Sequence, residues 1–86
     1  MELKVIIDKS DRPSLNEMQD FVGGNLELLI LDDGDQMLIN KEAEIRKLPI
    51  NYPASFQVLK NIYGNAIILE NDARFSRIYR IFSRNF

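Results

Sequence analysis

Apolar and polar residues alternate at the start of the chain. Leu3, Val5 and Ile7 are set against Glu2, Lys4 and Ile6, the period of two that marks a strand, and Asp8-Lys9-Ser10-Asp11 ends it. From Ser14 the period lengthens. Leu15, Met18, Phe21 and Val22 share one face of a helix whose start has capping-box spacing, Ser14 three residues before Glu17. Gly23, followed by Gly24, supplies the left-handed residue that closes it. Alternation then returns, with Leu26, Leu28 and Ile30 on one side and Glu27, Leu29 and Leu31 on the other. A two-residue type I′ turn at Asp33-Gly34 folds this strand into a hairpin, pairing Ile30 with Met37 and Leu28 with Ile39. That register gathers Leu26, Leu28, Ile30, Met37 and Ile39 on one face. Leu29, Leu31 and Leu38 make the opposite face apolar too, so it calls for at least partial cover, a partner being one source.

Asn40-Lys41-Glu42-Ala43 reads as a further reversal, with residues 44–48 as a short third strand that Pro49 stops. Tyr52 stands before Pro53 and marks the start of a second helix, because proline suits a first turn and restricts the residue before it. Phe56, Leu59, Ile62 and Tyr63 are expected to line its buried side, and Gly64 to close it. Residues 65–69 form a short apolar strand, expected to be central, and Glu70-Asn71-Asp72 turns the chain again. In residues 73–86, Phe75, Ile78, Tyr79 and Phe82 recur at helical spacing, while Arg74, Arg77, Arg80 and Arg84 fall on a separate arc. The order is β-α-β-β-(β)-α-β-α. It predicts one α+β domain, a mainly antiparallel sheet with a central hairpin and two to three helices packed on it. Residues 1–70 make its body, and residues 71–86 add an arginine-rich amphipathic helix to the same domain.

Composition narrows the chemistry. At 86 residues and 45% hydrophobic, the chain supports one small core. It has no cysteine and no histidine, which removes disulfides, thiolate or imidazole metal sites and histidine-based triads. No leader-like stretch opens it and no apolar run approaches the ~20 residues of a membrane helix, so a soluble, cytoplasmic protein is expected. The net charge of −2 conceals a split: residues 1–73 hold seven Lys/Arg against thirteen Asp/Glu, and residues 74–86 hold four arginines and no acid.

Five groups invite functional readings. Asp32-Asp33-Gly34-Asp35 resembles part of a calcium loop, but its carboxylates are adjacent and flanked by strands, so turn chemistry explains it and no metal is expected. Glu42 and Glu44 share a strand face with no further catalytic group, which fits a solvated edge better than acid–base work. Gly23-Gly24 lies between a helix and a strand, the reverse of the phosphate-loop order. Asn51 and Asn65 fit backbone caps or bridges, and with Asn40 they would have to line any polar pocket for a nucleotide signal. The arginine arc, with Tyr79, has three readings: a solvated helix face, a protein contact that includes docking on the acidic hairpin of the same or a second copy, or a nucleic-acid surface. A sequence pI near 5.0 disfavours the last.

The order of motifs, Val22-Gly23-Gly24, the acidic turn, Asn40-Lys41-Glu42, Leu48-Pro49-Ile50-Asn51 with Ala54, then Gly64-Asn65-Ala66-Ile67-Ile68, resembles the domain of unknown function 3846 family. Those are small proteins found chiefly in bacteriophages and bacterial mobile elements. The resemblance spans roughly residues 3–70 and implies a phage or mobile-element protein acting in a bacterial cell; it implies no catalytic residues. The family usually has glycine where this chain has Ala43, which implies strain or a changed turn there. The tail from Arg74 lies outside the similarity. The resulting expectation is a non-enzymatic phage accessory protein, without cofactor, that binds and modulates a host protein. A nucleic-acid regulator and a nucleotide binder are the alternatives, and a homodimer is open.

Overall fold

A capping box sets the first helix in place. In the computed structural model, which describes residues 1–76, the Ser14 hydroxyl accepts from the Glu17 amide at 3.1 Å and the Glu17 carboxylate accepts from the Ser14 amide at 2.9 Å. Those contacts, the Ser14 backbone N–H first and its hydroxyl second, hold the Glu17 carboxyl below its usual range. Helix α1 runs Leu15–Val22 and closes on Gly23. Around it the chain builds β1 (Leu3–Ile6), β2 (Leu26–Ile30), β3 (Gln36–Asn40), helix α2 (Tyr52–Val58) and β4 (Ala66–Leu69). The sheet order is β1-β4-β3-β2, with β1 parallel to β4 and the other pairs antiparallel. This is a small α+β fold. The hairpin reaches the sheet's edge at β2, so its centre is β4 and β3.

Ala66, Ile67, Ile68 and Leu69 are all buried, which a central strand covered on both faces requires. Ile67 and Leu69 face α1 with Met18, Val22, Leu26 and Leu38. Ala66 and Ile68 face the other way, with Met37, Ala54 and Ile62. The chain itself therefore covers much of the second face. On β1, Val5 and Ile7 are exposed while Ile6 packs toward α1 and Leu3 toward the α2 side, so the expected inward row of Leu3, Val5 and Ile7 does not form.

Two segments depart from expectation for local reasons. The hairpin register is one residue from that expected: Leu28 faces Leu38, Leu29 faces Met37 and Ile30 faces Gln36. A type I′ turn at Asp33-Gly34 needs positive φ at both residues, and only Gly34 has it, at 90°. Instead Leu31 O accepts from Gly34 at 2.9 Å, and Leu31 N–H donates to Asp35 O at 2.7 Å. This is a tight turn followed by a left-handed glycine bulge, with a three-residue loop. The odd residue moves every β3 side chain to the opposite face, so Leu38 joins Leu26 and Leu28, and Met37 and Ile39 join Leu29 and Leu31.

Residues 44–48 are not a strand. Arg46 N–H reaches Glu42 O, Lys47 reaches Glu44 O and Leu48 reaches Ala43 O at 3.0 Å, with Lys47 at φ 56°. That is one helical turn closed by a Schellman motif, and local bonds prevail over an alternating pattern. Ala43 is buried and has no positive φ, so the expected strain is absent.

Asn51 caps α2, its side-chain oxygen accepting from Ala54 N–H at 3.1 Å, with Pro53 in the first turn. The helix ends at Leu59, at φ 54°, well before Gly64. Ala54 and Val58 face inward, which turns Phe56 and Leu59 outward against expectation. Ile62 is buried beyond the helix, Tyr63 bridges Ile50, and Gly64 makes a left-handed turn beside the Leu48 side chain into β4. At the C-terminal side, Asn71–Ala73 form a single 3-10 turn and Arg74 is extended, so no helix begins at Ala73.

Ser14→Ala should lower stability by about 1 kcal/mol, or about 4–8 °C in Tm, by leaving the Glu17 amide uncapped. Asn51→Ala should be far more damaging, about 3 kcal/mol or more, because it strips partners from the Ala54 amide and two carbonyls. Urea unfolding of both variants checks the ranking.

Candidate functional site

The acidic loop is held by its own hydrogen bonds. Asp33 Oδ1 accepts from the Asp35 amide at 2.9 Å, an Asx-type contact that stabilises the turn. Among the described residues no three His, Cys, Asp or Glu side chains group as metal ligands. Asp35 is the loop's perturbed acid. Burial, then the Asp33 charge and hydrogen bond, push its carboxyl above the usual range, while Arg74 pulls the other way. Glu42 and Glu44 lie in the helical turn after β3 and do not share a strand face.

The asparagines are spent on main chain. Asn40 donates to Val22 O and accepts from Glu42 N–H. Asn51 donates to Gly64 O at 2.8 Å and to Glu2 O at 2.9 Å. Asn65 accepts from Glu2 N–H and donates to Phe21 O. The predicted caps and bridges of Asn51 and Asn65 are in place, and none of the three asparagines lines either of the two hollows described below. Gly23 and Gly24 let the Asn40 amide approach: a Cβ on Gly24 would stand 3.0 Å from its nitrogen.

Of the arginine arc, only Arg74 lies among the described residues; Arg77, Tyr79, Arg80 and Arg84 fall outside them. Arg74 reaches Asp35 at 3.8 Å across the hairpin tip, and its Nε donates to Asn71 O. Sequence reasoning missed the anchor beside it. Arg12 donates to Ala73 O at 2.9 Å and lies 4.4 Å over the Phe75 ring, and Gln36 exchanges two hydrogen bonds with the Phe75 backbone, at 2.9 and 2.7 Å. Gln36, a polar residue beside the apolar strand run, was the one visible signal.

The most distinctive surface lies on the α2 side of the hairpin. A groove of about 460 Å³ runs between the hairpin end and the C-terminal end of α2. Leu29, Leu31, Val58 and Ile68 contribute apolar walls; Asp32, Asp33, Asp35 and Glu70 rim it, with Lys60 opposite. Leu59 belongs to the groove and is 88% exposed. On α2 itself, Phe56 is 78% and Tyr52 66% exposed, four residues apart and so on one helix face. A surface helix normally turns polar residues outward; this one turns large apolar ones. A second hollow, of about 720 Å³, lies beyond Asp35 and is lined by Lys9, Arg12, Arg74, Phe75 and Ser76. No helix among the described residues is long and apolar enough to cross a membrane.

Because the folded Asp35 carboxyl binds its proton more tightly than the unfolded one, its contribution to stability falls as pH rises through the carboxylate range. Asp35→Asn should therefore gain in Tm relative to wild type between about pH 3 and about pH 7, measured by thermal melts at both ends. In comparison with known proteins, the chain matches no family model, no curated protein and no solved structure.

Proposed function

We propose that this chain is a small non-enzymatic phage accessory protein that docks on a host protein and modulates it. The docking surface is the outer side of α2 together with the acidic groove it borders. One observation carries the reading: Tyr52 and Phe56, one turn apart on α2, and Leu59, the left-handed residue that ends it, are large apolar side chains left exposed. Burying such side chains is worth about 1.5–3 kcal/mol each when complete, so a protein partner gains affinity there. The acids around the groove favour a basic partner surface and would speed encounter with it. Lack of histidine and cysteine agrees with a binding role. The phage source and bacterial cytoplasm rest on the motif resemblance alone. Arg74 gives the nucleic-acid reading no support, since its guanidinium faces Asp35.

Tagged wild-type protein should retain a stoichiometric protein from bacterial lysate. Phe56→Glu with Leu59→Glu should lose it while Tm stays within about 4 °C, as surface changes do. Equal capture by the variant, or no protein captured by wild type, would count against the proposal.

A further inference from the structure

We propose that the groove between the hairpin and the end of α2 seats a basic amphipathic helix from a partner protein. The helix lies with its apolar stripe on the sheet and its cations toward the acidic rim. The proposal rests on the host-protein reading for the existence of a partner, and names the element that partner brings. The groove's floor is a sheet face that the chain covers only in part. On the α2 side of the sheet, the register sets Val5, Ile68, Met37 and Leu29 in one row across the four strands. Met37 and Ile68 are buried at its centre, whereas Val5 on β1 is exposed and Leu29 on β2 is only half-buried. Helix α2 spans seven residues, about 10 Å, and stops at Leu59 in a left-handed conformation. The helical layer over this face ends there, and Leu29, Leu31 and Ile68 form an apolar floor beyond it.

Main-chain chemistry selects a helix as the occupant. An extended segment laid on a sheet face leaves its own N–H and C=O groups without partners, because the sheet is hydrogen-bonded in its plane. A helix satisfies them internally and offers only side chains. The chain covers the opposite face in the same way, with α1. Spacing agrees, since Leu29 and Leu31 stand about 7 Å apart along one strand face and helix positions i and i+4 about 6 Å apart.

Charge selects its sign. Asp35 is already paired with Arg74 and is left out of the count. Asp32, Asp33 and Glu70 also line the groove, and among the described residues none of them has an ion-pair partner. Three acids against Lys60 leave a surplus of two negative charges. A second copy of this patch would bring the same surplus, so charge opposes self-pairing through it. A helix with Lys or Arg beside its apolar stripe offsets it. Leu59, which lines the groove and is almost wholly exposed, is covered when that helix is seated.

Fluorescence anisotropy with the purified full chain tests the proposal. The probe is a fluorescein-labelled, alanine-based peptide of about 18 residues, long enough to hold a helix, with leucines at i, i+4 and i+7 flanked by lysines. One control has the same composition with its leucines placed alternately, and another has glutamate for every lysine. Wild type should bind the probe about fivefold or more tighter than either control at low salt. Asp32→Asn with Glu70→Gln, which leaves the Asp33 turn contact intact, should weaken binding about fivefold, as should about 0.5 M salt. Leu59→Asn, which suits the left-handed backbone, should weaken it about tenfold while Tm holds. Equal binding of the probe and the alternating control would overturn the helix, and binding indifferent to the acids or to Leu59→Asn would overturn the site. A wild-type dimer in sedimentation that Leu59→Asn dissolves would also overturn it, by giving the groove to a second copy. Capture of a lysate protein without binding of the probe would sink this inference and leave the host-protein reading standing. Binding of the probe with no lysate protein captured would do the reverse.

Discussion

The fold depends on asparagine amides that satisfy backbone groups where strands and helices end. Asn51 is the most heavily engaged: fully buried, it caps α2, holds Gly64 before β4 and ties down Glu2 before β1. Asn65 takes the other Glu2 group and reaches the end of α1 at Phe21, and Asn40 fastens Val22 to the turn after β3. In the strand register these contacts lie at one end of the sheet, where β1, β4 and β2 begin and β3 finishes. A sheet of four- and five-residue strands has a large share of its main chain at strand ends, and every such group left dry and unpaired would cost about 1–3 kcal/mol. None of the buried side-chain polar atoms among the described residues lacks a partner. The same commitment removes these amides from ligand recognition.

Sealing one end leaves the other to carry charge. At the opposite end of the sheet, the hairpin loop, Glu70 and Arg74 meet, and the backbone turns through tight bonds of its own. Arg74 and Asp35 remain partly exposed, and a pair of that kind adds about 0–1 kcal/mol, too little to organise a fold. Its consequence is positional: together with the Gln36 and Arg12 contacts to Phe75, it decides where the arginine-rich end of the chain departs.

Signals that act within a few residues were readable. Ser14 with Glu17, Gly23 after the helix, and Asn51 with Pro53 are each explained by contacts three or four residues apart, and each stands where expected. The buried run of residues 66–69 was readable because continuous apolarity has few other homes. The hairpin register was not. Both faces of β2 and β3 are apolar, so hydrophobic pattern could not distinguish two pairings one residue apart, and Asp-Gly serves either turn. Lys47 and Leu59 stop helical turns in left-handed conformations without being glycine, an outcome that tertiary packing selects and local preference disfavours. That early stop at Leu59, with Ala54 setting the helix phase, is why Phe56 and Leu59, assigned to the core, are on the surface, whereas Ile62 is buried beyond the helix.

The exposed apolar side chains of α2 contrast with the two edges of the sheet. Both edge strands are short, and each is guarded. On β1, Lys4 stands among Val5 and Ile7 with its ammonium 4.5 Å from the Phe21 ring, so strand addition there would have to disturb a charged side chain. On β2, Glu27 interrupts the leucines and the glycine bulge twists the end of the hairpin. Phe56 and Leu59 are more exposed than any apolar side chain of either edge strand. Folding alone would gain from replacing them with polar residues, because exposed apolar groups invite association. Leu59 also lines the acid-rimmed groove, so exposed apolar and acidic surface adjoin on this flank of the fold.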